Sequence, residues 1–344
     1  MDISRSRRIR RTRGTHETHG THETHTTRTS RWTRFTRFAL VLPLPLLCLA
    51  CTDVVAADTD PPPPNVIDER SEVIQGGGGI DLVVYEAGNL DGPPIVFIHG
   101  FSQNNLAWER QFSGPLAEEF HLVGFDLRGH GASGHPVEAE AYTDSQLWAD
   151  DLAAVLQRKG LDRPVVVGWS YGGYVIADYI RSYGSEALGG LAFVGPVTKA
   201  GSNEAFAMLT DEVLAIFEDV LAADLRTSLT ATRSFARLMT ASAGDDFETV
   251  YGSAMMVRPE ARQAMFSREL DNDDILSSLD LPTVAFHGGS DRVVRTSASE
   301  HIVDLVPGAE LLVYDGAGHT LFMDDPQRFN DDLAAFVRSV HPDR

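Results

Sequence analysis

Gly168-Trp169-Ser170-Tyr171-Gly172 follows the apolar run Pro164-Val165-Val166-Val167 and precedes Tyr174-Val175-Ile176-Ala177-Asp178-Tyr179-Ile180. This is G-x-S-x-G between a buried-strand pattern and a helical one, the setting that gives the motif chemical meaning. A nucleophilic serine must stand clear of the backbone at a strand end. The sharp turn that puts it there leaves no room for a Cβ on the flanking residues, hence glycine at both ends. The competing reading is a glycine-rich turn whose serine merely caps the helix. The β-branched lead-in and the helix behind it favour a nucleophile.

A serine hydroxyl attacks poorly at neutral pH. It requires a base, a group that orients the base, and donors for the oxyanion. Leu281 to Gly288 reads as a strand with Gly289-Ser290-Asp291 in the loop behind it. Glu310 to Tyr314 reads as the last strand and leads into Gly316-Ala317-Gly318-His319. Both loops fall on the edge of a parallel sheet that carries Ser170, so Asp291 is the expected acid and His319 the expected base. Asp126 is the rival acid. Its setting, Gly124-Phe125-Asp126-Leu127-Arg128-Gly129-His130-Gly131-Ala132-Ser133, suits a tight structural loop in which Asp126 and Arg128 pair. Upstream, Ile95-Val96-Phe97-Ile98 ends in His99-Gly100-Phe101, and the N–H groups of Phe101 and Tyr171 are the expected oxyanion hole. Trp169 is a candidate substrate contact or a packing residue.

The elements that must position these groups are readable from the apolar pattern. Val73-Ile74 and Ile80 to Tyr85 frame Gly76 to Gly79 as a hairpin. A helix is expected around Trp108 to Glu119 and another from Asp144 to Lys159. With the strands near Ile95, His121, Val165, Leu191, Thr283 and Glu310 the count is about eight. Runs such as Ile95-Val96-Phe97-Ile98 lack alternation, as buried parallel strands do. Strand signals vanish between Val197 and Asp280. There Asn203–Ala222, Leu225–Ala241 and Pro259–Leu270 show helical apolar spacing, as in Phe206, Leu209, Val213 and Phe217. Phe206, Phe217, Phe235, Met239, Met255, Met256 and Phe266 either line an acyl pocket or pack this insertion's own core; Tyr251 is a weaker candidate.

From about Ile80 to Val337 the chain resembles the α/β-hydrolase superfamily. The resemblance rests on His99-Gly100-Phe101, Asp126 to Ser133, Gly168 to Gly172, Gly289-Ser290-Asp291 and Gly318-His319. Gly172 to Ile180 and Gly190 to Gly195 are most similar to the bacterial arylesterase and cofactor-free haloperoxidase group. The resemblance implies an α/β fold with a mostly parallel eight-stranded sheet, helices on both faces and a helical cap at about 197–280. It implies Ser170 as nucleophile, Asp291 as acid, His319 as base, and His99 supporting the oxyanion loop by hydrogen bonds. Many of those relatives follow the oxyanion residue with proline, where this chain has Ser102-Gln103-Asn104-Asn105. They commonly carry Phe and Met around the serine, where Trp169 and Tyr171 stand. These departures favour ester hydrolysis over perhydrolase or halogenating chemistry. Epoxide hydrolases and haloalkane dehalogenases of this fold carry aspartate at the position of Ser170, so the intermediate expected here is an acyl-enzyme. Lactone, C–C bond or peracid chemistry with the same residues is the alternative. A non-catalytic ligand receptor is the alternative from another class.

Composition restricts the partners. The 344 residues are 43% hydrophobic, ample for a buried core, and carry a net charge of −20. Residues 1–50 hold ten arginines against Asp2, Glu17 and Glu23, a net +7 that leaves −27 to the remainder. So acidic a domain repels phosphate backbones and is not expected to bind nucleic acid. The leader reads as a signal sequence over residues 1–51. Its arginine-rich start and apolar stretch of about 13 residues end in Leu49-Ala50-Cys51, which resembles a lipobox with Cys51 acylated as a membrane tether. Cys48 replaces the usual aliphatic residue three positions earlier, so an ordinary secretory signal and a misassigned start stay open. Thr15-His16-Glu17-Thr18-His19 and its near repeat read as low-complexity sequence; His-Glu-Thr-His lacks one residue of the H-E-x-x-H zinc spacing. Residues 52–70, with Pro61 to Pro64, read as an extended tether, and residues 71–344 as the hydrolase domain. Cys48 and Cys51 are the only cysteines, so no disulfide staples that domain. It has no dinucleotide, P-loop or Cys/His metal motif, and neither cofactor nor metal is expected. The expected partner is a small-molecule ester. The expected location is outside the cytoplasm, as an anchored lipoprotein or a periplasmic or secreted enzyme.

Overall fold

The computed structural model describes residues 70–240 and 245–343; the leader, Cys51 and nearly all of the tether lie outside them. The sheet has eight strands in the order β1, β2, β4, β3, β5, β6, β9, β10. Their ranges are β1 Arg70–Gln75, β2 Asp81–Gly88, β3 Pro94–Ile98, β4 His121–Phe125, β5 Val165–Trp169, β6 Gly190–Val194, β9 Thr283–Gly288 and β10 Glu310–Tyr314. β1 pairs antiparallel with β2, and β2 with β4; all other neighbours are parallel. β3, β4, β5 and β6 are buried at every residue, which is why they read as unbroken apolar runs.

The helices that cover the sheet carry their own start and stop signals. Ser145–Lys159 begins where Asp144 accepts from the N–H of Gln146 at 2.9 Å and ends at Gly160 with φ 61°. Pro326–Val340 opens with proline in its first turn, capped by Asp325. The expected helix from Trp108 to Glu119 is instead two short ones, Glu109–Phe112 and Leu116–Glu119. Ser113-Gly114-Pro115 separates them, because proline disfavours helical geometry in the residue before it.

The segment between β6 and β9 is mainly helical: Asn203–Ala207, Asp211–Leu214, Phe217–Val220, Leu225–Met239, Asp245–Met255, Pro259–Phe266 and Asp273–Ser277. Two features differ from the sequence reading. The expected helix Asn203–Ala222 is broken into three, and the first break falls at Thr210, which donates its N–H to Val293 O (3.0 Å) and its hydroxyl to Arg292 O (2.5 Å). These tertiary bonds outweigh the local periodicity. A two-stranded neck, β7 Lys199–Ala200 against β8 Leu270–Asp271, also joins the entry and exit of this cap. Strands of two residues leave no periodic signal.

Candidate active site

Ser170 sits at the carboxyl end of β5 with φ 53°, a left-handed conformation uncommon outside glycine. Its neighbours show why the turn needs glycine. A Cβ on Gly168 would lie 2.6 Å from Ile176 Cδ1, and one on Gly172 would lie 2.9 Å from Ile98 O. The strain is held by hydrogen bonds on both sides: Ser170 N–H donates to Val194 O at 2.9 Å, and its carbonyl accepts from Gly173 and Val197.

The turn after β9 holds Asp291, whose Oδ1 accepts from the N–H groups of Val293 (2.7 Å) and Val294 (2.9 Å). Its Oδ2 lies 2.7 Å from Nδ1 of His319, in the loop after β10. Burial works to raise the Asp291 carboxyl, but the charge and hydrogen bond of His319 outweigh it, and the group stays below the usual carboxylate range. Gly195 brings this pair to the serine. Val194 O receives the Ser170 N–H, and a Cβ on the next residue would lie 3.1 Å from His319 Nδ1 and 3.4 Å from Asp291 Oδ2. Gly195 also has φ 46°, so both its conformation and its surroundings exclude a side chain. The structure thus pairs Asp291 with His319 and sets that pair against Gly195, the residue after the one that receives the Ser170 N–H.

Phe101 and Tyr171 flank the serine on the other side. Among the described residues neither backbone N–H donates to another group. The loop bearing Phe101 is tied down by two buried histidines. His99 accepts from Leu127 N–H on Nε2 (2.9 Å), and His130 accepts from Ser102 N–H on Nε2 (3.1 Å). Each uses Nδ1 on a carbonyl, Gly100 O and Arg128 O respectively. Burial lowers the pKa of both, and the neighbouring His99 pushes His130 down further. Ser102 has φ 56°. Proline, locked near −65° and without an N–H, could adopt neither that conformation nor that bond.

A cavity of about 60 Å³ opens beside Ser170. Phe206, Phe217, Phe235 and Phe266 line it, as do Val293 and Val294 of the Asp291 turn. Met239, Met255, Met256 and Tyr251 do not. Met239 is buried, Met256 is exposed, and Tyr251 stacks on Phe247. A larger concavity, about 1010 Å³, lies at the amino ends of β3 and β4 and holds none of the candidate residues.

One alternative left open by the sequence is narrowed, and one expectation needs correction. Trp169 does not line the cavity. It is fully buried, its indole N–H donates to His319 O at 3.0 Å, and its ring packs on Phe322 and Trp108. It is the last residue of β5, whose residues are all buried, and Phe322 and Trp108 cover its ring. Arg128 does not pair with Asp126. It forks onto Asp151 at 2.7 and 2.8 Å, while Asp126 accepts from Asn105 N–H, Ala132 N–H and the Tyr85 hydroxyl. Both residues still hold loops, through other partners, and Asp126 is committed away from His319. Of the other described histidines, His121 meets Glu86, His135 meets Gly131 O, His301 meets Asp273, and His287 meets Ser299 and Val294 O with Nε2 3.6 Å from Asp291 Oδ2. No cluster of potential metal ligands occurs among the described residues.

The fold and the constellation define a hydrolase-type site, and comparison with known proteins agrees. The profile of the α/β hydrolase fold family matches residues 93–326, and the chain belongs to that family. Among solved structures it is similar to the esterase RhEst1 from Rhodococcus sp. ECU1013, with 32% identity and a TM-score of 0.75 over 78% of this chain and 99% of that one. It is also similar to a bifunctional esterase/perhydrolase, DCH, from Acinetobacter calcoaceticus, at 28% identity over 76% of this chain and 97% of the relative. A non-heme chloroperoxidase, CPO-A1, from Kitasatospora aureofaciens is 28% identical over 75% and 96%.

Proposed function

We propose that this chain is a serine hydrolase of small carboxylic esters. Ser170 attacks the ester carbonyl while His319 accepts its proton on Nε2. Asp291 fixes the imidazole tautomer through Nδ1 and stabilises the imidazolium. The N–H groups of Phe101 and Tyr171 receive the charge that develops on the carbonyl oxygen. The alcohol leaves with the proton from His319, and water, activated by the same base, releases the acyl group. The observation that carries the reading is the 2.7 Å His319–Asp291 pair brought by Gly195 against the strained Ser170 turn. An apolar cavity of about 60 Å³ has room for about four to six water-sized groups, which suits a short acyl chain.

Lactone opening, C–C cleavage or acyl transfer to peroxide would use the same residues, and the relatives named above include a perhydrolase and a chloroperoxidase. Ester hydrolysis is preferred because Ser102 adopts a conformation closed to the proline many relatives carry there. Export through the arginine-rich leader, with Cys51 as a lipid anchor, completes the proposal; these residues lie outside the described ones. The test is turnover of short p-nitrophenyl esters. Ser170→Ala should lose kcat by about 10³-fold or more, and a variant that keeps wild-type turnover defeats the assignment.

A further inference from the structure

Resting on the esterase reading, we propose that Arg268 is a positioning residue for the oxyanion hole. It holds the donor of Tyr171 through that residue's phenol, and so makes donor geometry depend on how the cap is seated.

Arg268 lies between the cap helix Pro259–Phe266 and β8 and is only 3% exposed. Its Nη2 donates to both carboxylate oxygens of Asp178, at 2.7 and 2.6 Å, and to Ser145 Oγ at 2.7 Å. Nη1 donates to the Tyr171 hydroxyl at 3.2 Å. The guanidinium also lies 5.8 Å from the centre of the Trp148 ring. Asp178 belongs to Gly172–Tyr183, the helix that starts just behind the nucleophile. One side chain from the cap therefore grips both the helix and the residue whose backbone N–H faces the oxyanion. A planar fork does this where a point charge would not.

Two residues earlier in the chain, Phe266 makes the matching contact on the other donor. Its ring packs edge-on to Phe101 with centroids 4.6 Å apart, and it also meets Phe217 at 4.7 Å. Tyr171 is wedged among Trp148 (5.3 Å), Tyr174 (5.0 Å) and Phe266 (6.0 Å). A single short segment at the cap's return thus touches the side chains of both residues that supply the paired N–H groups. β8 pins that segment to β7 at the neck. Any shift of the cap reaches both donors through packed contacts. A buried ion pair kept only for stability would not need the phenol contact.

The test separates positioning from stability. Tyr171→Phe keeps the ring and the N–H but removes the phenol contact. Arg268→Met is made together with Asp178→Asn, so that no lone carboxylate is left buried. Arg268→Lys is the conservative variant. Each is measured for kcat and KM on p-nitrophenyl acetate per site titrated with a fluorophosphonate, for inhibition by n-butylboronic acid, and for Tm. Loss of a whole oxyanion donor costs about 10²–10³-fold, so a misplaced one should cost about tenfold. The expected result is a kcat loss of about threefold for Tyr171→Phe and about tenfold for the Arg268→Met, Asp178→Asn pair, with KM within about twofold. Boronate affinity should fall in the same proportion, and Arg268→Lys should recover part of both. Combining Tyr171→Phe with the pair should add nothing further. Variants that lose Tm yet keep kcat per site and boronate affinity overturn the proposal, as do losses that multiply. Wild-type protein that neither hydrolyses the ester nor reacts with the fluorophosphonate overturns the esterase reading itself.

Discussion

Asp291 and His319 meet at 2.7 Å across two separate loops, and the second oxygen of the same carboxylate is held by the N–H groups of Val293 and Val294. The carboxylate is thus fixed by its own turn before it orients the ring. With Nδ1 committed as donor, Nε2 is left as the acceptor that a base requires.

Asp291→Asn should therefore fold normally, because an amide oxygen can still take the turn's N–H groups, yet lose most of its activity. The expected loss in kcat is about 10³–10⁴-fold, with the tautomer rather than the geometry at fault. Circular dichroism checks the fold and ester turnover checks the chemistry. Activity within threefold of wild type would remove Asp291 from the triad.

Gly195→Val tests whether the imidazole needs the space that glycine leaves. The added Cβ would stand 3.1 Å from His319 Nδ1, at a φ of 46° that costs a branched side chain about 1–2 kcal/mol or more. Activity should fall by about 100-fold or more while the fold survives with a lowered Tm. Unchanged kcat would show that His319 tolerates displacement.

Trp169→Phe should separate packing from substrate contact. The buried ring is largely kept and the indole bond to His319 O is lost, at about 1 kcal/mol of stability. If Trp169 supports the base from below, kcat drops while KM stays constant across a series of alcohol leaving groups. A KM that varies with the leaving group would restore Trp169 as a substrate contact.

The buried histidines make stability fall on the acid side. Burial lowers the pKa of His99 and pushes that of His130 further below the ordinary value, so both stay neutral in the fold while the unfolded chain takes up protons. Their contribution is complete above about pH 6.5 and declines as pH falls below that value, by at most about 1.4 kcal/mol per pH unit for each group. Denaturant unfolding at pH 7.5 and 5.5 should show the decline, and His130→Asn should show a smaller one. Equal pH slopes for the two proteins would refute the assignment.

How much of this the sequence could reveal depends on how local each cause is. Ser170 was legible because its glycines, lead-in strand and following helix are contiguous; Asp291 and His319 were legible because each follows a strand signal. The eight strands were legible because buried parallel runs are continuous. Gly195 carried no such sign: its role is set by His319, more than a hundred residues away. The partners of Arg128 and Arg268 likewise come from other elements, Asp151 and Asp178, and no spacing rule connects them. The broken helix at Thr210 belongs to the same class, since carbonyls near Asp291 decided it. Trp169 stayed open between packing and substrate contact for a simpler reason. Adjacency to the nucleophile does not say which way a side chain points when the chain turns sharply between the two residues.

The most direct test of the central claim is acylation of Ser170 itself. Rapid acid quench of the enzyme with p-nitrophenyl acetate, followed by peptide mass spectrometry, should find one acetyl group on the peptide that contains Gly168 to Gly172. It should be absent in Ser170→Ala and strongly reduced when His319 is replaced by a group that cannot take the serine proton. Ester turnover with no acetyl on that peptide, or with acetyl on another residue, would contradict the account.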